Sequence, residues 1–327
     1  MNYRQELIQN PDLYRSRAVG CLSGLAIGDT MGELARSEYY RERYGIILSL
    51  IGENQSTDDT EFALLTAKIV LSSRGFLTEE SVHEAWMQYV VERGIQSRAG
   101  KVSHGAVANL KRGMRAPLSG QFNYDFYDDG AAMRTAPIGI AWAGDPETAA
   151  EMARIDAQIS HGADGIWGAM AIAASVAVAM AGRNIDEIIA TGLRYIPQDS
   201  WLFSTVQKAL EICDDNSDLL TKWERLHDEL WTPSRSSNPE ALPQVYAIFK
   251  LFGKEGFRQC IAAASNFGRD ADTLGAIVGA LTGALYGMEA IPPKWIEMTR
   301  KPRGVCLPFT SEIDIVETAC ELADLVR

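Results

Sequence analysis

Two short acidic segments hold the residues best suited to chemistry: Ser56-Thr57-Asp58-Asp59-Thr60 and Asn266-Phe267-Gly268-Arg269-Asp270-Ala271-Asp272-Thr273. Each precedes an apolar run that reads as a helix. Singly, each reads as a set of helix caps, because Ser, Thr and Asp accept hydrogen bonds from the first free N–H groups and suit the positive end of the dipole. A cap needs one side chain, however, and each segment offers two carboxylates beside hydroxyls. Four carboxylates gathered in one place repel one another unless a cation sits among them. Oxygen ligands select a hard ion such as Mg²⁺, Mn²⁺ or Ca²⁺. The four histidines, His83, His104, His161 and His227, are scattered and show no HxxxH spacing, which argues against zinc. Adjacent Asp58 and Asp59 can point to different ions, so the pattern accommodates a two-metal site.

For the segments to meet, the elements behind them must pack closely. Glycine recurs at Gly20, Gly24, Gly28 and Gly32, and again at Gly275, Gly279, Gly283 and Gly287. Each costs a helix roughly 1 kcal/mol relative to Ala, which makes sense where another backbone approaches along that face. The second stripe leads directly out of the second acidic segment. Two such stripes predict two helices packed tightly at the centre, with their acidic ends converging. Elsewhere helical periodicity dominates and strand signals are scarce. Asn10-Pro11-Asp12 opens a helix running toward Ile27, with Asn10 as its N-cap. Further helices are predicted over 60–72, from Thr78 through Val91, from Asp145 to about Ile159, over 243–252 and over 256–265. Ile313, Val316, Cys320 and Ala323 form a terminal amphipathic stripe. Residues 115–130 and 232–239 read as loops, neither of them linker-like, so residues 1–327 read as one domain.

The net charge of −12 and pI near 4.9 argue against general nucleic-acid binding, which needs a basic face. An anionic small ligand is compatible, given local positive groups. The stretch from Arg93 to Arg115 holds six Lys or Arg and no Asp or Glu. Within it, Gly100-Lys101-Val102-Ser103-His104-Gly105 offers charge and backbone N–H groups to phosphate oxygens; the plainer reading is a solvated face. Five cysteines without CxxC spacing read as free thiols in a reducing cytoplasm. The polar start shows no signal-peptide core. The uncharged runs 166–181 and 273–288 are short for a bilayer, which takes ~20 residues, and read as buried helices, so no membrane partner is expected.

The chain resembles the ADP-ribosylglycohydrolase family over nearly its whole length. Blocks in order carry the resemblance: Gly24-Leu25-Ala26-Ile27-Gly28-Asp29-Thr30-Met31-Gly32, then Ser56 to Thr60, then Asp128-Asp129-Gly130-Ala131-Ala132-Met133-Arg134-Thr135-Ala136-Pro137, then Ser160-His161, then Asn266 to Thr273, with Ile291-Pro292-Pro293-Lys294-Trp295 beyond. The resemblance implies an all-α fold, a compact orthogonal multi-helix bundle, with two Mg²⁺ or Mn²⁺ ions. It implies Thr57, Asp58, Asp59, Asp270, Asp272 and Thr273 as their ligands. It further implies cleavage at the anomeric carbon of an ADP-ribosyl or related ribosyl group, with Asp59 or Asp272 orienting or deprotonating the water. Asp129, Gly130, Ala131 and Met133 match the family's ligand loop, and His161 a position near the ligand. The plainer alternatives are a turn before a helix, a structural His161, and an Arg134 that holds a structural carboxylate.

Three positions depart from the family pattern. Active members usually carry Glu eight residues past the position of Gly28, where this chain has Arg36; Glu33 and Glu38 lie nearby without inheriting the role. Asp129 stands where Asn is common, and Arg269 where Gly is common. The departures leave open a different acid or base, a related N- or O-ribosyl substrate such as a nucleoside, or ADP-ribose binding without turnover. A two-metal phosphohydrolase is a weaker alternative.

Overall fold

The computed structural model describes residues 3–325. Among them the expected all-helical architecture forms, and the one backbone pairing of strand type is an isolated antiparallel bridge between Asp128 and Ser237. At its centre lie the two glycine-striped helices, Pro11–Arg36 and Ala271–Tyr286. They run antiparallel in strict register. Gly20 faces Gly283, Gly24 faces Gly279, Gly28 faces Gly275, and Gly32 faces Ala271. A Cβ at Gly24 would lie 2.2 Å from the Gly279 carbonyl oxygen, and one at Gly279 would lie 2.1 Å from that of Gly24. The backbones therefore touch along four turns, which only glycine permits.

The first of these helices runs well past Ile27. Its residues from Ala18 to Met31 are all buried, and packing of this extent outweighs the intrinsic cost of glycine. Asn10 occupies the N-cap position without a side-chain hydrogen bond. The register has a consequence for the site. The last turn of the first helix, with Glu33 and Arg36, meets the first turn of the second, with Asp270 and Asp272.

Other elements follow the expected order with shifted ends. The helix from Glu79 stops at Trp86 and continues as a π-helical segment, Met87–Glu92. Asn238 and Pro239 belong to the helix Asn238–Phe252 rather than to the preceding loop, consistent with proline's tolerance in a first turn. The loop 115–130 contains the short helix Leu118–Gln121. The apolar run from Ile166 forms the helix Ala163–Met180, which is long and apolar enough to cross a membrane but has 78% of its residues buried in the fold. All five cysteines are free thiols, four of them buried.

Candidate functional site

The helix Asp58–Ser72 begins at the first acidic segment, and Thr57 occupies its N-cap position without making a side-chain cap. The capping is done from another element. Asp29, fully buried on the first glycine helix, accepts from Thr57 N at 2.8 Å and Thr60 N at 3.1 Å through Oδ2. The hydroxyls of Thr57 and Thr60 also donate to it, at 2.8 and 2.5 Å. Asp29 thus satisfies N–H groups that a local cap would take, which leaves Asp58 and Asp59 free for other work. At the second segment, Asp270 occupies the N-cap position of Ala271–Tyr286, again without a side-chain cap. Helix capping therefore does not account for either segment's paired carboxylates.

The two segments converge on a cleft of about 480 Å³. Asp58, Asp59, Asp270, Asp272 and Thr273 all line it, together with Asp129, Gly130 and Met133 of the Asp128–Arg134 block. The loop 234–237 closes another side: Asp129 N donates to Ser236 O at 2.8 Å, and Asn238 N to Tyr127 O at 2.9 Å. Gly100 and Lys101, from the basic stretch, also line the cleft, and Gly100 N donates to Asp58 Oδ2 at 2.8 Å.

Electrostatics mark the cleft as a place for a cation. Burial, and then the Asp272 charge, push Asp58 up to about 6 and Asp270 to about 8. Burial raises Asp59 well above the usual carboxylate range, with Asp29, Asp272, Asp58 and Asp270 adding to it. Asp129 is raised by burial and then by Asp270. Three carboxylate oxygens here, Asp59 Oδ1, Asp129 Oδ2 and Asp272 Oδ1, are buried without any hydrogen-bond partner. Unsatisfied buried carboxylate oxygens are costly. Hard oxygen donors with open valences suit Mg²⁺ or Mn²⁺. On that chemistry the residues fit the ion.

The packing is less simple. Among the described residues, no three His, Cys, Asp or Glu side chains converge closely enough to hold an ion unaided. Arg36 stands among these carboxylates. Its guanidinium donates to Asp272 Oδ2, and it lies 3.6 Å from Asp270 Oδ1 and 3.9 Å from Glu33 Oε2. At the position where the resemblance expects Glu, the chain places a cation of its own against two of the six implied ligands, Asp272 and Asp270. Thr57 is the other implied ligand turned elsewhere: it is fully buried, bound to Asp29, with its Oγ1 3.2 Å from Asp59 Oδ2.

Two residues expected at the ligand, Ala131 of the loop and His161 near it, do not line the cleft. Ala131 is fully buried and packs with Ala157, Ala169 and Ile166. His161 is fully buried behind Gly130, with Nδ1 2.8 Å from Ser160 Oγ and Nε2 3.8 Å from Asp128 Oδ1. Burial pushes its pKa down. Asp128 Oδ1 accepts from Gly130 N at 2.8 Å and fixes the turn that presents Gly130.

Arg134 holds a structural carboxylate. Its Nε donates to Asp156 Oδ2 at 2.7 Å, and its Nη2 donates to Asp156 O at 3.0 Å and Ser160 Oγ at 3.1 Å. Both side chains are sealed from solvent. Breaking a buried pair from one side costs about 3–5 kcal/mol. Arg134→Met is therefore expected to lower the urea midpoint strongly, and adding Asp156→Leu is expected to recover most of the loss. A small effect of the single variant would contradict this role.

Sequence reasoning assigned no part to Asp29, although it stands inside the Gly24–Gly32 block, or to Arg98, Arg235 and Ser236, which line the cleft from separate loops. Asp29 had a signal, a carboxylate amid a buried apolar stripe. Arg98 lay inside the basic stretch Arg93–Arg115 without being singled out; Arg235 and Ser236 had no signal, because only tertiary contacts bring their loop to the cleft.

An all-helical fold with an oxygen-rich acidic cleft at the meeting point of two helix ends defines the class of protein. The ADP-ribosylglycohydrolase family model matches residues 10–325, and the chain belongs to that family of glycosidic-bond hydrolases. It is 25% identical over 297 residues to the ADP-ribosylarginine hydrolase Tri1 of Pseudomonas putida, covering 88% of this chain and 75% of that one. It is also 25% identical over 292 residues to the ADP-ribosyl-dinitrogen reductase glycohydrolase of Rhodospirillum rubrum, covering 86% and 89%. A solved structure described as an ADP-ribosylglycohydrolase-related protein complex superposes with a TM-score of 0.67 at 21% identity, over 97% of this chain and all of that one. That likeness speaks to the fold.

Proposed function

We propose that this chain is a divalent-metal-dependent glycohydrolase that cleaves the bond at the anomeric carbon of an ADP-ribosyl or closely related ribosyl group. The observation that carries the reading is the set of buried, partnerless carboxylate oxygens on Asp59, Asp129 and Asp272. Asp58, Asp59, Asp270, Asp272 and the Thr273 hydroxyl would hold Mg²⁺ or Mn²⁺, joined by the Thr57 hydroxyl once it turns from Asp29; the ion would supply Lewis acidity toward ribose hydroxyls and water.

The chain's own groups do the rest. As the C1–leaving-group bond breaks, positive charge builds on the ribose, and the surrounding carboxylates stabilise it. Asp59 or Asp272 takes the proton of the attacking water, whose oxygen bonds to C1. The leaving group departs with the bonding electrons and takes a proton from solvent, and the carboxylate returns its proton to solvent, so that one water is added across the bond. Gly130 carries no side chain to block approach, so the ribose or phosphate can lie against its backbone.

The test is release of ADP-ribose from ADP-ribosyl-arginine, ADP-ribosyl-serine and a nucleoside panel, with Mg²⁺ or Mn²⁺ and with a chelator. Release that is abolished by the chelator is expected. Absence of turnover on all of them, with metal bound, would overturn the reading.

Arg36 favours a second reading, a protein that binds ADP-ribose without turning it over. Its hydrogen bond to Asp272 is charge-assisted and of a kind worth about 1.5–3 kcal/mol. Arg36→Gln removes that competitor, so Mn²⁺ binding is expected to tighten about tenfold or more by calorimetry. Turnover that appears only in the variant would favour the second reading for the natural chain. Unchanged Mn²⁺ affinity would show that Arg36 does not contest the site.

A further inference from the structure

Beside the acidic cleft lies a second cavity, of about 730 Å³. Its wall carries Arg36, Arg41, Arg98, Arg235 and Arg269 against a single carboxylate, Glu33. In a chain with net charge −12, such a gathering runs against the overall balance. The two cavities adjoin, because Arg36, Arg98 and Arg235 line both.

Four of the five guanidiniums are held from one side. Arg36 is held by Asp272, Arg98 by Glu33, and Arg235 lies 3.4 Å from Asp270 Oδ1. Arg269 pairs with the fully buried Glu240 and donates to Thr232 O at 2.7 Å. A guanidinium has five N–H donors in a rigid fork, and one carboxylate engages at most two of them. The remaining donors are therefore positioned without the entropy cost of fixing a free side chain. Arg269 has φ of +55°, a left-handed backbone that is strained for a non-glycine residue, and this conformation accompanies its clasp on Glu240. The Ser265 hydroxyl also lines the cavity, fully buried and without a hydrogen-bond partner.

We propose that this arginine-lined cavity is the oxyanion subsite of the same active site: it binds a phosphate or carboxylate carried by the substrate whose ribose lies at the acidic cluster. The inference rests on the ribosyl reading of the cleft and extends it to the charge of the substrate. The seven aspartates and four cations of the cleft itself suit a cation and sugar hydroxyls; the neighbouring cavity suits an oxyanion. Two sources share that chemistry. The oxyanion belongs either to the leaving group, such as a phosphate or an acidic side chain, or to the diphosphate of the nucleotide.

The experiment is calorimetric titration of the full chain with inorganic phosphate at low salt, for the natural protein and for Arg41→Glu and Arg235→Gln. Arg15→Gln is the control, because Arg15 lies ~30 Å from Arg36 toward the other end of the helix Pro11–Arg36 and lines neither cavity. Both test variants are expected to weaken phosphate binding about tenfold, with the control unchanged. Equal binding in all four proteins, or none in the natural one, would overturn the proposal. A second titration in saturating ADP-ribose and Mg²⁺ separates the sources: retained phosphate binding assigns the cavity to the leaving group, and displacement assigns it to the diphosphate. Arginine-dependent phosphate binding with no hydrolysis of any ribosyl substrate would sink the catalytic reading and leave the subsite standing. Hydrolysis without arginine-dependent phosphate binding would do the reverse.

Discussion

Asp59→Asn is expected to lose at least ~10³-fold in turnover while raising the thermal stability of the metal-free protein. A thousandfold loss corresponds to about 4 kcal/mol of transition-state stabilisation, within the reach of a group with the two roles proposed for Asp59, holding an ion and facing the reacting water. The stability gain comes from the site's own repulsion. Asp59 is buried and opposed by Asp29, Asp272, Asp58 and Asp270, so its neutral isostere removes one unfavourable charge. The two effects have opposite signs, which separates a functional role from a folding defect. Thermal melts with and without Mn²⁺, run beside the ribosyl assay, give both readouts. The metal-induced rise in melting temperature should shrink in the variant. A variant that is less stable without metal, or that keeps full activity, would contradict this account of Asp59.

Gly28→Ala is expected to be the most damaging single-methyl change in the chain. The added Cβ would sit 1.9 Å from the Gly275 carbonyl oxygen and 2.2 Å from its carbon. Both are backbone atoms in a buried helix, so neither can swing aside. The helices must separate along their shared face, and that disturbs every glycine contact in the register. Overpacking a core commonly costs 1–3 kcal/mol; with backbone on both sides, at least ~3 kcal/mol is expected, against total stabilities of about 5–15 kcal/mol. A loss of soluble yield or a large drop in the urea midpoint checks it. Gly94→Ala is the comparison, since no atom lies within 4 Å of its Cβ position, although its φ of +85° adds local strain. If Gly28→Ala proved as mild as Gly94→Ala, the close backbone contact would be wrong.

The same register ties stability to the site. It places the last turn of one central helix against the first turn of the other, and so sets Arg36 beside Asp272. A shift of one turn would carry Arg36 some 5 Å along the helix axis and open the acidic cleft to a different neighbour. The departure at position 36 is thus a property of helix packing as much as of one residue.

The sequence by itself determined the helical class, the two central helices and their glycine faces, because a four-residue period of glycine has few physical uses outside close helix packing. It also determined the paired acidic segments, whose residue types were in excess of what capping needs. Tertiary structure alone decided what those residues face. Asp29 caps a helix that begins 29 residues further on, across the intervening helix Glu38–Tyr44 and a loop, so Asp58 and Asp59 are not its caps. His161 lies behind Gly130 and Ala131 packs inward against Ala157 and Ala169, while the turn fixed by Asp128 presents Gly130 to the cleft. Arg36 closes on Asp272, and five arginines from separate segments surround one cavity. None of these follows from local periodicity. Periodicity reports which face of a helix is apolar, whereas the partner across that face is set by packing between segments far apart in the chain.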